Sequence, residues 1–125
     1  MYRYQILIEY VGLNFVGWQT QSHGKSIQKL IQTKLSKLLK EKILLIGSGR
    51  TDAGVHAIEQ SAHFECKKEI HNLDKFLKSV NHFVNNMNVS ITNIKKRNLN
   101  FHARFSAKQR IYKYVIFNRL SRPSI

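Results

Sequence analysis

Alternating apolar and polar residues open the chain and predict its first β-strand. Single, mostly polar residues separate Tyr4, Ile6, Ile8 and Tyr10, and a period of two places successive side chains on opposite faces of a sheet. The same period returns at residues 58–65, where we expect a second strand beside the first. Shorter apolar runs predict three further strands, at residues 43–46, 89–94 and 111–117.

Two other segments have the period of an amphipathic helix. Apolar residues follow the i, i+3, i+4 spacing at Ile27, Leu30, Ile31, Leu35, Leu38 and Leu39, and lysines fill the opposite face. A second apolar stripe consists of Leu73, Phe76, Leu77, Val80 and Val84. Ser26 and Asn72 precede the two stripes and are suitable N-cap residues.

The order of these elements is β-α-β-β-α-β with one further strand. This order is typical of a ferredoxin-like α+β fold, in which two helices cover one face of a mostly antiparallel sheet. The fold alone does not indicate a function, because the same architecture serves many functions.

A glycine-rich loop, from Gly47 to His56, connects two of the predicted strands. It contains Arg50 and Asp52, and a nearby guanidinium would hold a carboxylate ionised, as a nucleophile requires. The alternative is a tight turn in which Asp52 accepts a local amide hydrogen bond. The loop lacks the third glycine of the dinucleotide fingerprint, and the chain has no Gly-Lys-Ser or Gly-Lys-Thr of a nucleotide P-loop.

Composition and charge narrow the class of partner. The chain has 125 residues, 42% of them apolar, so one compact domain with its own core is expected. It carries 21 Lys and Arg against 7 Asp and Glu, a formal net charge of +14, which favours a polyanionic partner. Asp52 and Asp74 are the only aspartates, so carboxylate chemistry has few possible carriers.

The positive charge is concentrated in the second half of the chain, where aromatic residues alternate with cations. No acid follows residue 95, and we name six RNA-contact candidates there: Lys95, Lys96, Arg97, Arg104, Lys108 and Arg110. The interleaved rings include Phe101, Phe105 and Tyr112. Cations for phosphates and rings for bases favour RNA or single-stranded nucleic acid, and a solvated lysine surface is the alternative.

The remaining residues give no indication of a metal site or of a membrane-spanning segment. Cys66 is the only cysteine, which excludes an internal disulfide and favours a reducing compartment. Six histidines are present, but their spacing matches no zinc site, and nothing in the sequence pairs two of them as the acid and base of a nuclease. The longest aliphatic run, residues 43–46, cannot span a bilayer. We therefore expect a soluble cytoplasmic protein.

Four segments, in order, resemble motifs of the TruA family of tRNA pseudouridine synthases, and the resemblance covers essentially the whole chain. The most specific is Ser48–Ala57, with the sequence SGRTDAGVHA. The others are FVGWQ at residues 15–19 with SIQ at 26–28, FHARFSA at 101–107, and RIYKY at 110–114.

By this resemblance Asp52 is the catalytic aspartate, Arg50 assists base flipping, and Tyr112 stacks on the flipped uracil. The implied reaction converts uridine to pseudouridine in the anticodon stem-loop of tRNA. Whether the carboxylate attacks C1′ of the ribose, attacks C6 of the ring, or removes a ribose proton to give a glycal stays open. The reaction involves neither redox change nor group transfer, so no cofactor and no metal are expected.

The resemblance also implies that family members have a second half, which supplies the other wall of the active-site cleft, and that the full enzyme is a homodimer. We therefore expect residues 1–125 to be the N-terminal α/β subdomain, with the C-terminal half absent from this chain. The alternative is an RNA-binding module without catalysis, or an inactive fragment that lacks the second half.

Overall fold

The computed structural model describes residues 1–11, 17–18, 26–49 and 57–105, with only the backbone at residue 58. The elements are β1 (Tyr2–Tyr10), α1 (Ile27–Leu39), β2 (Ile46–Gly47), β3 (Ala57–Cys66), α2 (Leu73–Val84), a 3₁₀ turn (Asn85–Met87) and β4 (Val89–Arg97). The strands form one sheet in the order β2-β3-β1-β4. These described elements confirm the α+β class and the antiparallel sheet.

The central strand β1 pairs antiparallel with β3 on one side and with β4 on the other. Its alternating residues Tyr4, Ile6, Ile8 and Tyr10 are buried in the core. They pack with the buried residues of both helices in a single apolar cluster. The sheet therefore has one face covered by the helices and one face that carries the polar residues of β1 and β3.

Both helices begin at the predicted caps. The Ser26 Oγ accepts a hydrogen bond from the Lys29 amide at 3.1 Å, and the Asn72 Oδ1 accepts one from the Lys75 amide at 3.0 Å. Each cap satisfies an amide that the first turn of a helix leaves without an intrahelical acceptor. The last turn of α1 ends at Lys40, in the left-handed conformation with φ of 54°.

The predicted strand at residues 43–46 is wrong for most of its length, because only Ile46 and Gly47 pair with β3. Ile43 and Leu45 are buried as expected. Their amides, however, donate to side chains of α1: the Ile43 amide to Ser36 Oγ at 3.0 Å and the Leu45 amide to Gln32 Oε1 at 2.9 Å. The helix supplies the hydrogen-bond acceptors that a neighbouring strand would otherwise provide.

Strand β4 extends further than the apolar pattern predicts, through three basic residues to Arg97. Lys95 pairs with Gln5, and Arg97 pairs with Arg3. The predicted strand at 111–117 lies outside the described residues. Among the helices that the structure describes, none is both long enough and apolar enough to cross a membrane.

Candidate functional site

The first residues of the glycine-rich loop, just after β2, are held to β3 by two hydrogen bonds. The Ser48 amide donates to the Ser61 carbonyl at 2.8 Å, and the Gln60 Nε2 donates to the Gly49 carbonyl at 2.6 Å. The loop is therefore the connection of a hairpin whose base is held by backbone and side chain. Arg50 and Asp52, which follow in the same loop, lie outside the described residues.

Gly47 lets Trp18 approach the base of the loop. A Cβ atom at Gly47 would lie 2.7 Å from the Cε2 and Nε1 atoms of the indole, closer than any side chain could be accommodated without movement. Trp18 is 2% exposed and stacks on Tyr10, with ring centroids 6.5 Å apart. Trp18, from the FVGWQ motif, thus packs directly against the strand that leads into the glycine-rich loop.

The start of α1 holds that motif segment in place. The Ile27 amide donates to the Gly17 carbonyl at 3.2 Å, and the Gln28 amide donates to the Trp18 carbonyl at 2.9 Å. The Gln28 side chain then donates to the Leu45 carbonyl at 2.8 Å, just before β2. Gly17 has a positive φ of 108°, which favours glycine at this position. Two separate parts of one sequence motif therefore meet at the beginning of β2.

His63, on β3, fixes the Phe101–Phe105 segment to the polar face of the sheet. Its Nδ1 accepts a hydrogen bond from the Ala103 amide at 2.9 Å. The Phe101 and His102 rings contact the imidazole edge to face, with centroid distances of 6.1 Å and 4.6 Å. His63 is 3% exposed and Ala103 2% exposed, so this segment covers a histidine that strand periodicity alone places on the solvent side.

Burial is the largest of the effects that lower the pKa of His63 to about 4; the nearby Arg3 and His102 act in the same direction, and Glu65 acts in the opposite one. A neutral imidazole has one nitrogen that can accept a hydrogen bond. At neutral pH His63 is therefore in the form that the Ala103 amide requires. Burial, together with Arg3 and Arg104, also lowers the pKa of His102.

Arg3 forms a second attachment for the same segment. Its guanidinium donates to the Phe101 carbonyl and forms an ion pair with Glu65 on β3, with a distance of 3.0 Å from Nε to Oε1. The Arg3 side chain is 17% exposed. One cation of β1 is thus used to join β3 to the Phe101–Phe105 segment.

The described RNA-contact candidates are divided between the two faces of the sheet. Arg97 lies on the polar face, where its guanidinium carbon is 4.3 Å from the centroid of the Phe101 ring. Lys95 pairs with Gln5 and lies on the same face. Arg104 lies over the Phe105 ring at 5.8 Å, and Phe105 is 78% exposed.

Lys96 lies on the opposite face, because it pairs with the core residue Tyr4. It forms an ion pair with Glu69 and lies 5.0 Å from the centroid of the Tyr2 ring. The hydrogen bond from Lys96 lowers the pKa of Glu69, and the same bond raises the pKa of Lys96. Of the three consecutive cations of β4, only Lys95 and Arg97 therefore share a face with the Phe101–Phe105 segment.

Three further candidates, Lys108, Arg110 and Tyr112, lie outside the described residues. Within the described ranges, no group of three His, Cys, Asp or Glu side chains is placed to hold a metal ion. His63 was not among the site residues predicted from the sequence. The period of the strand predicts that His63 lies on the polar side of β3. The strand period does not predict its burial, because the segment that buries it follows about 40 residues later.

Comparisons with known proteins agree on one family. A family model described as tRNA pseudouridine synthase matches residues 6–106. A protein of Pelagibacter ubique (strain HTCC1062) named tRNA pseudouridine synthase A is 77% identical over 125 residues, which are 100% of this chain and 51% of that protein. Proteins of the same name from Ehrlichia ruminantium, strains Gardel and Welgevonden, are 42% and 41% identical over 122 residues, which are 95% of this chain and 48% of each protein. The chain thus spans about half the length of the curated relatives it matches.

Proposed function

Because the chain belongs to the tRNA pseudouridine synthase family, we propose that the native protein containing it converts uridine to pseudouridine in the anticodon stem-loop of tRNA. The observation that supports this most is the convergence of family motifs on the β2–β3 hairpin. Trp18 packs on Gly47 on one side of the hairpin, and Ala103 binds His63 on the other. Both contacts lie at or beside Ile46–Gly47, the strand that precedes the loop containing Asp52.

The proposed reaction is an isomerisation in which all atoms are conserved. The bond between C1′ and N1 breaks, the uracil turns, and a bond forms between C1′ and C5. The C5 proton leaves and N1 gains a proton, so the net composition of the nucleoside is unchanged. The uridine must leave the helical stack first, because C1′ and C5 are inaccessible inside it.

We assign the catalytic carboxylate to Asp52, base flipping to Arg50 and stacking on the uracil to Tyr112. An ionised carboxylate suits either a nucleophile or a base, and Arg50 two residues away would favour that ionised state. A tyrosine ring can replace the stacking that the uracil loses when it leaves the helix. These residues need neither a cofactor nor a metal for the bond changes described.

We also propose that the described cations of the polar face bind tRNA phosphates. Arg97 and Arg104 are each paired with an aromatic ring, an arrangement that leaves a guanidinium able to contact phosphate while the ring contacts a base. Lys95 adds a third positive charge on the same face. Lys108 and Arg110 are further candidates by their positions in the sequence.

The proposals on domain organisation, oligomeric state and compartment rest on the resemblance to the family. We propose that residues 1–125 are the N-terminal half of the catalytic domain, that a C-terminal half completes the cleft, and that the enzyme is a cytoplasmic homodimer. Cys66, the single cysteine of the sequence, is a free thiol, which fits a reducing compartment. The mass of the native protein in solution and its distribution on cell fractionation test these proposals.

The catalytic assignment is tested by comparing Asp52→Asn with Asp74→Asn in the native protein. These are the two aspartates of the chain, and each change removes one negative charge. Tritium released from tRNA labelled at C5 of uridine measures the reaction, because the C5–H bond must break. We expect Asp52→Asn to lose activity at least about a hundredfold, while Asp74→Asn, on the exposed first turn of α2, retains it. Equal activity of wild type and Asp52→Asn would reject the assignment.

A further inference from the structure

The imidazole of His63 is buried although it lies on the polar face of the sheet, and its burial calls for a structural explanation. His63 is 3% exposed, and a polar group removed from water costs free energy unless it is hydrogen-bonded. Its neighbours across the sheet are Gln5 on β1 and Ile46 on β2. His63 is therefore adjacent to the strand that leads into the glycine-rich loop.

The partner of His63 is a backbone amide of the Phe101–Phe105 segment. The Ala103 amide donates to Nδ1 at 2.9 Å, and both groups are buried. The rings of Phe101 and His102, the two residues before Ala103, contact the imidazole edge to face. The titratable or charged groups that face His63 are Arg3, Glu65 and His102.

The segment bound to His63 carries cations on its outer surface. Arg97 lies over Phe101, the residue two before Ala103, and Arg104 directly follows Ala103. The His102 Nδ1 accepts hydrogen bonds from the Arg104 and Phe105 amides, each at 3.2 Å. The orientation of Arg104 and of the exposed Phe105 ring therefore depends on a backbone that His63 holds at its centre.

We propose that His63 is a positioning residue that aligns the tRNA-binding Phe101–Phe105 segment with the catalytic loop. The residue connects the segment to the strand that precedes the loop, since its Nδ1 binds Ala103 and its backbone pairs with Ile46 of β2. The inference rests on the proposed function. It adds a role in substrate placement for a side chain that touches neither the uridine nor the phosphates.

The experiment compares His63→Asn with His63→Gln in the native protein. The Asn side chain places its oxygen near the position of Nδ1, whereas the longer Gln places its amide near the position of Nε2. The two changes are alike in polarity and differ in which site of the imidazole they imitate. His82→Asn, at an exposed position of α2, is the control for loss of a histidine.

We expect His63→Gln to weaken tRNA binding about tenfold, because the buried Ala103 amide loses its acceptor. His63→Asn should restore most of the affinity, and His82→Asn should leave it unchanged. The rate at saturating tRNA should change less than the affinity in each variant. Equal affinity of the Asn and Gln variants, or a loss confined to the rate at saturation, would overturn the proposal.

Arg104→Ala provides a second measurement. If His63 acts through the segment, the effects of His63→Gln and Arg104→Ala on tRNA affinity should be less than additive. Full additivity would contradict the inference.

Hydrogen exchange of the Ala103 amide tests its hydrogen bond to residue 63 in the absence of RNA. The exchange should be faster in the Gln variant than in the Asn variant. Failure of the proposed function would appear separately, as absence of pseudouridine formation by the wild-type protein.

Discussion

The absence of a side chain at Gly47 decides how Trp18 packs. The indole occupies the volume in which a Cβ atom would lie, at 2.7 Å from two ring atoms. The contact is with a rigid ring rather than with the end of a flexible chain, so it cannot be relieved by a rotamer change alone. Gly47 is therefore a packing requirement at the entrance to the glycine-rich loop.

The change Gly47→Ala should destabilise the protein by about 1–3 kcal/mol, the range typical of overpacked cores. Denaturant midpoints of the two native proteins measure the loss, and Trp18, the only tryptophan among residues 1–125, contributes a fluorescence signal from the contact itself. Trp18→Phe in the same background should recover part of the loss, because the smaller ring vacates the space. A Gly47→Ala protein with unchanged stability and fluorescence would show that the backbone moves enough to accommodate the Cβ atom, and would contradict this packing requirement.

At this scale a candidate for chemistry is easier to identify in the sequence than a contact between distant residues. Asp52 is conspicuous because it stands between glycines and two residues after an arginine, in a chain with few acids. His63 is inconspicuous, since a histidine at a polar strand position is ordinarily exposed. Its burial comes from a segment remote in the sequence, and no local period encodes that contact.

Local signals determine most of the secondary-structure elements. The helices follow from apolar stripes with a cap residue before each, and β1 and β3 follow from a period of two. Residues 43–45 are different, because their amides bind Ser36 and Gln32 of α1 instead of a strand. An apolar run indicates burial, and it does not indicate whether the backbone partner is a strand or a helix side chain.

The capping interaction of α2 gives a test at the level of the element. Asn72→Ala should lower the free energy of unfolding by about 1 kcal/mol, because the Lys75 amide loses its acceptor. Asn72→Asp should retain the stability of the wild type, since its carboxylate can accept the same bond and suits the positive end of the helix dipole. Denaturant midpoints of the three native proteins measure this. A midpoint for Asn72→Asp as low as for Asn72→Ala would exclude the capping explanation.

At the scale of the whole molecule, the net charge of +14 indicates the sign of the partner but not the binding face. The sequence places three cations in a row, and only the pairing of β4 with β1 separates them. Arg97 faces the Phe101–Phe105 segment, whereas Lys96 faces Glu69 on the helix-covered side. The strand length was not predictable from apolar periodicity, because residues 95–97 are all basic.

This division of the cations predicts different salt dependences for two variants of equal charge. Arg97→Ala should reduce the slope of log affinity for tRNA against log salt by about 0.7–0.9, the value for one lost phosphate contact. Lys96→Ala removes the same charge from a side chain that pairs with Glu69, and the slope should change much less. Titrations of the native proteins with tRNA over a series of salt concentrations provide the comparison. If the Lys96 variant loses as much slope as the Arg97 variant, the tRNA contacts both faces of β4, and the polar face is not the selective binding surface.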